Sequence, residues 1–294
     1  MKQLKEYILV TANFILPEFF ADNKMNIILL DLCKKHPEIM RDNIDIYGFY
    51  GIFPGCIWNG GRVIFGNQCS KEHVKEIFNI YNNYYNLPLR LTFTNSLIEE
   101  KHCYDTYCNM IAECGHNGMN EILVTSPVLE KYLKETYPNY KYCKSVTSTE
   151  HSCYDITNYY MSVLPKTANN DFQFLNSIPL NDRKKLEIIC NDDCIDNCPY
   201  TYEHYKVISE AQLGYKTSLN VQCKMKLLNN DFPHKELKNL KQYIDYNNIC
   251  MNYLPLDYQY FKLCGRENTT KRKLNWLHYI IKPDYHDDIL YKIA

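Results

Sequence analysis

The chain has no long apolar run, no charge imbalance, no dinucleotide fingerprint and no internal repeat. Each absence excludes something. The longest uncharged apolar stretch near the start, Tyr7 to Pro17, falls short of the ~20 residues that a spanning helix needs. Lys2 and Lys5 precede it, but Glu6 and Glu18 flank it and no small-residue cleavage site is evident. The sequence therefore predicts a cytoplasmic protein with neither membrane anchor nor signal peptide. Lys and Arg total 33 against 34 Asp and Glu, a net charge of −1, so nothing points to a broad basic nucleic-acid surface or an acidic tail. No G-x-G-x-x-G follows the first strand-like run, which weakens a dinucleotide-binding reading. No low-complexity linker or Ser/Gly-rich hinge divides the chain.

What remains is ordinary globular composition, 46% hydrophobic and 23% charged over 294 residues, enough to bury a full core without staples. The 14 cysteines, in a reducing compartment, read as thiols, metal ligands or nucleophiles rather than as a disulfide framework.

Short apolar runs read as buried strands at Tyr7–Asn13, Asp45–Tyr50, Arg90–Thr94, Glu121–Thr125, Tyr142–Thr147, Tyr160–Leu164, Leu186–Cys190 and Tyr260–Cys264. Helix-like spacing of apolar residues lies between most of them, over Lys24–Lys35, Lys71–Tyr85, Ile98–Ala112 and Thr270–Ile281. Ser126-Pro127 opens another helix, with Pro at the first helical position, and Asn170–Ser177 forms a short one. Strand and helix in alternation indicate parallel βαβ units. Eight strands fit a closed (β/α)₈ barrel of ~250 residues, with a doubly wound open sheet as the alternative. The chain is read as a single barrel domain over 1–294. Its one irregularity is 191–259, too long for a plain connection, which places a cysteine-bearing insertion between strands seven and eight.

The sharpest local feature is Cys190-x3-Cys194-x3-Cys198-Pro199, directly after the seventh strand. On one helix the outer pair would stand about 12 Å apart along the axis, too far for one metal centre. The interleaved acids and amides and Pro199 favour a loop, which would let three thiolates converge on an iron–sulfur cluster. Cys223 is the expected fourth ligand, with Cys250 in reserve. Cys103, Cys108, Cys114 and His116 form a second group. A helix over Ile98–Ala112 would put Cys103 and Cys108 on different faces, so these read as core thiols. Cys33, Cys56, Cys69, Cys143 and Cys153 read as single small hydrophobes.

Polar residues at strand ends mark the mouth at which barrel enzymes build their sites. After the second strand comes Trp58-Asn59-Gly60-Gly61-Arg62, a tight loop suited to close approach to a ligand. Asn95 follows the third strand and Ser126 the fourth. Trp58, Asn59, Arg62, Asn95 and Ser126 are therefore the substrate-binding candidates. Glu187 inside the seventh strand and Arg266 after the eighth are the catalytic candidates. The alternative for both is an ion pair between neighbouring strands.

Leu254-Pro-Leu-Asp257 with Phe261-Lys-Leu-Cys-Gly-Arg266 resembles the S-P-x-D-L … L-K-I-E-G-R ending of the collagenase-like peptidase family U thirty-two. Cys194-x3-Cys198 is similar to that family's G-x-C-x-x-x-C-R segment, and Val124-Thr-Ser-Pro127, Tyr137-Pro138 and Ser145-Val-Thr-Ser148 to its V-N-s-P … P … h-S succession. Cys264 stands where the pattern has Glu, and Pro199 where it has Arg. The resemblance implies a barrel, a four-iron, four-sulfur cluster on four cysteines, and hydroxylation or a related redox step. The substrate would be an RNA base, a small molecule or a peptide, and a partner protein of the same family is allowed. The alternatives are a metal-free peptidase-like hydrolase and a non-catalytic binding protein. Ser126, Ser148, His102 and His204 show no recognisable nucleophile–base arrangement.

Overall fold

Eight short strands pair in parallel in chain order and close on themselves, with helices in most of the connections. The computed structural model describes residues 10–62, 64–147, 154–192, 194, 198–214, 238–266 and 269–293. The strands are β1 (Ala12–Pro17), β2 (Ile44–Gly51), β3 (Leu89–Phe93), β4 (Glu121–Val124), β5 (Lys141–Lys144), β6 (Met161–Val163), β7 (Leu186–Ile189) and β8 (Tyr260–Lys262). β8 pairs with both β7 and β1, which closes the barrel. The open-sheet alternative is thereby excluded.

Side chains alternate between the two faces of each strand, and the sequence uses this alternation to build two interiors. One parity is continuously apolar. Phe14, Leu16, Leu89, Leu91, Phe93, Ile122, Val124, Leu186, Ile188, Phe261 and Leu263 share a single buried cluster with the helices. Full burial of each such side chain is worth about 1.5–3 kcal/mol, so this layer between sheet and helices is the principal source of cohesion. The helices meet it with one face. Lys71–Asn79 buries Val74, Ile77 and Phe78 and is capped by Ser70, whose hydroxyl accepts from His73 N at 3.2 Å. Pro127–Thr136 buries Leu129 and Leu133 behind its Ser126 cap.

The other parity fills the lumen. Leu123, Cys143, Met161, Val163 and Ile189 make a small apolar plug. Beside it stands a buried charge network. Arg90 Nε donates to Glu121 Oε2 at 2.6 Å, and Arg90 Nη1 donates to Glu187 Oε2. Tyr47 donates its hydroxyl to Glu121 Oε1. Burial raises the Tyr47 phenol above its usual range, and the Glu121 charge adds to this, so it stays a donor.

Two elements depart from the sequence reading. β1 starts at Ala12, so the first strand lies further along the chain than Tyr7–Asn13. Residues 7–9 fall outside the described residues. The apolar run is long enough to offer both registers, and pairing of Phe14 with Ile46 and Phe261 selects the later one. The helix expected over Ile98–Ala112 is broken into Glu100–Cys103 and Thr106–Cys114. Asp105 makes the break, because its carboxylate accepts from Cys108 N at 2.8 Å and caps the second piece.

The long connection after β7 leaves from the C-terminal end of the barrel and folds back over it. Its helix Thr201–Gln212 is tied down by Gln212, which donates to Cys56 O at 3.0 Å and accepts from Ile64 N at 3.0 Å. No described helix is long and apolar enough to cross a membrane.

Candidate active site at the barrel mouth

The C-terminal ends of the strands enclose a cavity of about 90 Å³. Its floor is aliphatic, from Leu123 and Ile189. Its walls carry Tyr50 from β2, Thr92 from β3, Ser145 and Thr147 after β5, and Lys262, Cys264 and Arg266 at and after β8. The β2–β3 loop adds Gly60, Gly61 and Arg62, and the insertion adds Asp192 and Tyr205.

Lys262 is the most unusual of these side chains. It is buried, with its Nζ 4.1 Å from the centre of the Tyr50 ring and 3.8 Å from Glu187 Oε1. Among the described residues, Glu187 Oε1 has no hydrogen-bond partner. Burial lowers the Lys262 pKa to about 8, against the pull of Glu187 and with help from the like charges of Arg90 and Arg266. The sequence reading passed over Lys262. The available signal was its parity, since Tyr260, Lys262 and Cys264 alternate with the apolar Phe261 and Leu263.

Arg62 and Arg266, expected to face one cavity, both line it. Arg266 does not pair with Glu187. Its guanidinium donates to Asn59 Oδ1 at 3.0 Å, Thr92 Oγ1 at 2.8 Å and Gly60 O at 2.8 Å. It thus staples the end of β8 to the β2–β3 loop and to β3. Glu187 lies deeper, among Arg90 and Lys262. The expected Glu187–Arg266 ion pair is replaced because Arg90, from the far side of the lumen, reaches the carboxylate first.

The remaining substrate-binding candidates hold the site together. Asn59 is fully buried and braces its own loop, donating to Arg62 O at 2.7 Å. Trp58 sits in the outer core layer, edge-on to Phe93 at 5.0 Å, and donates to His102 O at 2.8 Å. Asn95 donates to Ile57 O at 2.9 Å and Ser209 O at 3.2 Å, joining β3, the β2–β3 loop and the insertion helix. Ser126 is a helix cap, donating to Ile98 O and accepting from Leu129 N, both at 3.4 Å. The glycine pair serves close packing of backbone. A Cβ at Gly60 would collide with Thr94 O, and Gly61 has φ +74 with Arg266 Nη2 3.4 Å from where its Cβ would be.

The cysteine loop divides. Cys190 continues the outward parity of Leu186 and Ile188, so its thiol enters the apolar layer and is fully buried there. Burial pushes its pKa up. Cys194 and Cys198 lie on the other side, near each other and near Lys166, and Cys194 N donates to Asp192 Oδ1 at 3.0 Å. Cys223 lies outside the described residues, and Cys250 is a half-buried thiol against the outer core layer. Among the described residues, no group of three or more His, Cys, Asp or Glu is arranged to hold a metal ion. The described residues therefore do not fit the expected four-thiolate cluster, because strand parity turns Cys190 away from Cys194 and Cys198. Cys190→Ala is expected to lower stability by about 1 kcal/mol, as for one buried heavy atom, and to leave metal content unchanged. Urea unfolding and metal analysis of anaerobic samples check this. A fall in bound iron in the variant would return Cys190 to the ligand set.

Comparison with protein-family models, curated proteins and solved structures finds no match for this chain. The fold and site define it as a closed (β/α)₈ barrel with a small, polar, cation-rich cavity at its C-terminal mouth.

Proposed function

We propose that this chain is a barrel enzyme acting on a small anionic metabolite bound at the C-terminal mouth. The observation that carries the reading is the convergence of Arg62, Lys262 and Arg266, from two separate loops and strand ends, on one cavity. Asp192 is the one carboxylate among the described lining residues, and it is already engaged by Cys194 N and, at 3.9 Å, by Lys166. The cavity therefore favours negative charge. The hydroxyls of Thr92, Ser145 and Thr147 stand beside Arg62, Lys262 and Arg266, a lining that suits a small carboxylic acid.

The resemblance to the collagenase-like peptidase family implies hydroxylation through a cluster, and the described cysteines do not fit that cluster. The peptidase alternative draws no support from Ser126, whose hydroxyl is spent on a helix cap.

Calorimetric titration with pyruvate, malonate and inorganic phosphate tests it. The wild type is expected to bind at least one of them. Arg62→Ala is expected to weaken that binding about tenfold, as befits a charged hydrogen bond of about 1.5 kcal/mol, with no change in the urea midpoint. Absence of binding by all three, or equal binding by the variant, would overturn the reading.

A further inference from the structure

We propose that Lys262 is a covalent nucleophile that forms an imine with the carbonyl group of a small keto or aldehyde acid. The inference rests on the mouth being the substrate site and names the substrate class and the atom that attacks.

Three features of the geometry lead to it. Lys262 projects from the C-terminal end of a barrel strand into the cavity, on the rigid sheet rather than on a loop. Among the described residues it has no hydrogen-bond partner, so its lone pair is not committed once the proton is lost. The groups facing it are Glu187 from β7, Arg90 from β3, Tyr50 from β2, and Cys264 and Arg266 from its own strand end. Two cations and a closed lumen expel its proton, as a desolvated nucleophilic lysine requires. Glu187 Oε1, buried and without a hydrogen bond, faces the ammonium at 3.8 Å. The carboxylate thus stands beside the amine, where it can relay a proton and then face the cationic product.

The step balances without a further reagent. The ammonium gives one proton to Glu187. The amine lone pair forms the C–N bond while the C=O π pair moves to oxygen. Glu187 returns its proton to that oxygen, giving a carbinolamine whose nitrogen still holds two protons and the positive charge. Glu187 then takes one of those two protons, the freed nitrogen lone pair forms the C=N bond, and the hydroxyl leaves with that proton as water. Ammonium plus carbonyl becomes iminium plus water, and the single positive charge stays on the nitrogen facing Glu187.

Reductive trapping tests the proposal. Wild-type protein is incubated with pyruvate or glyoxylate and sodium cyanoborohydride near pH 7.5, then examined by intact mass and peptide mapping. With the amine titrating near pH 8, its neutral fraction exceeds that of an ordinary lysine by roughly a hundredfold. The expected result is one adduct per chain, on the peptide containing Lys262 and formed far ahead of labelling elsewhere. Lys262→Met is expected to lose it. Labelling spread evenly over surface lysines, or no adduct from either acid, would overturn the inference. The wild-type peptide map decides even if the variant does not fold. Calorimetric binding of pyruvate without an adduct would sink the imine and leave the mouth standing as the site. Loss of both would sink both.

Discussion

Replacing Arg90 by Met is expected to destabilise the protein by about 3–5 kcal/mol, the cost of removing one partner from a buried ion pair. Arg90 is almost fully buried and engages two carboxylates at once, Glu121 and Glu187, each with at most 1% of its side chain exposed. Methionine fills much of the volume but leaves two buried negative charges facing each other, with Lys262 near one of them. Adding Glu187→Gln to the variant removes one orphaned charge and is expected to recover part of the loss. The single Glu187→Gln change is expected to destabilise, because it leaves the wild-type arginine with one carboxylate fewer. A double-mutant cycle by urea unfolding reads the coupling. Additive losses would show that the network is not an electrostatic unit. The same experiment bears on function, since Glu187 links this network to Lys262.

The second large effect is one of pH. A lysine whose pKa is lower in the folded protein binds its proton more weakly there than in the unfolded chain. Its contribution is unfavourable and constant below the folded value, about 8. Stability then rises with pH until the unfolded lysine also loses its proton, near pH 10.4. For Lys262 the wild type is expected to gain about 3 kcal/mol relative to Lys262→Met between pH 8 and pH 10.5. The subtraction removes tyrosines and cysteines common to both proteins. Parallel urea midpoints for the two proteins across that range would show that Lys262 titrates like an exposed lysine, and the nucleophile argument would fail with it. The cost at neutral pH is the kind that active sites carry, where a destabilised group is kept because its reactivity is needed.

Eight strand-like runs separated by helical spacing were sufficient in the sequence to indicate a parallel barrel and to place an insertion at its mouth. Apolar periodicity is a local property, and the only way to bury the outer parity of eight such strands is against their own helices. The same parity was available for individual residues. Glu187 and Cys190 lie an odd number of positions apart on one strand, so they face opposite sides. A reading that places Glu187 in the lumen already turns Cys190 out of it. Lys262, one position before Leu263 and two before Cys264, could be placed inward by the same rule.

The partners of these residues could not be found that way. Arg90, Glu121 and Glu187 come from β3, β4 and β7, and only closure of the barrel sets the arginine between two carboxylates. Arg266 had Glu187 expected for it and donates instead to Asn59, Thr92 and Gly60, on the β2–β3 loop and β3. Cys56 and Cys108, read as unrelated thiols, have their sulfurs 3.3 Å apart under that loop. Trp58, Asn95 and Ser126 have the composition of site residues because helix caps, loop braces and ligand contacts all call for polar or aromatic groups at strand ends. The strand pattern decides which face a side chain takes. Which distant group it meets on that face is decided by the stagger and closure of the sheet, a property of all eight strands together and of no segment alone.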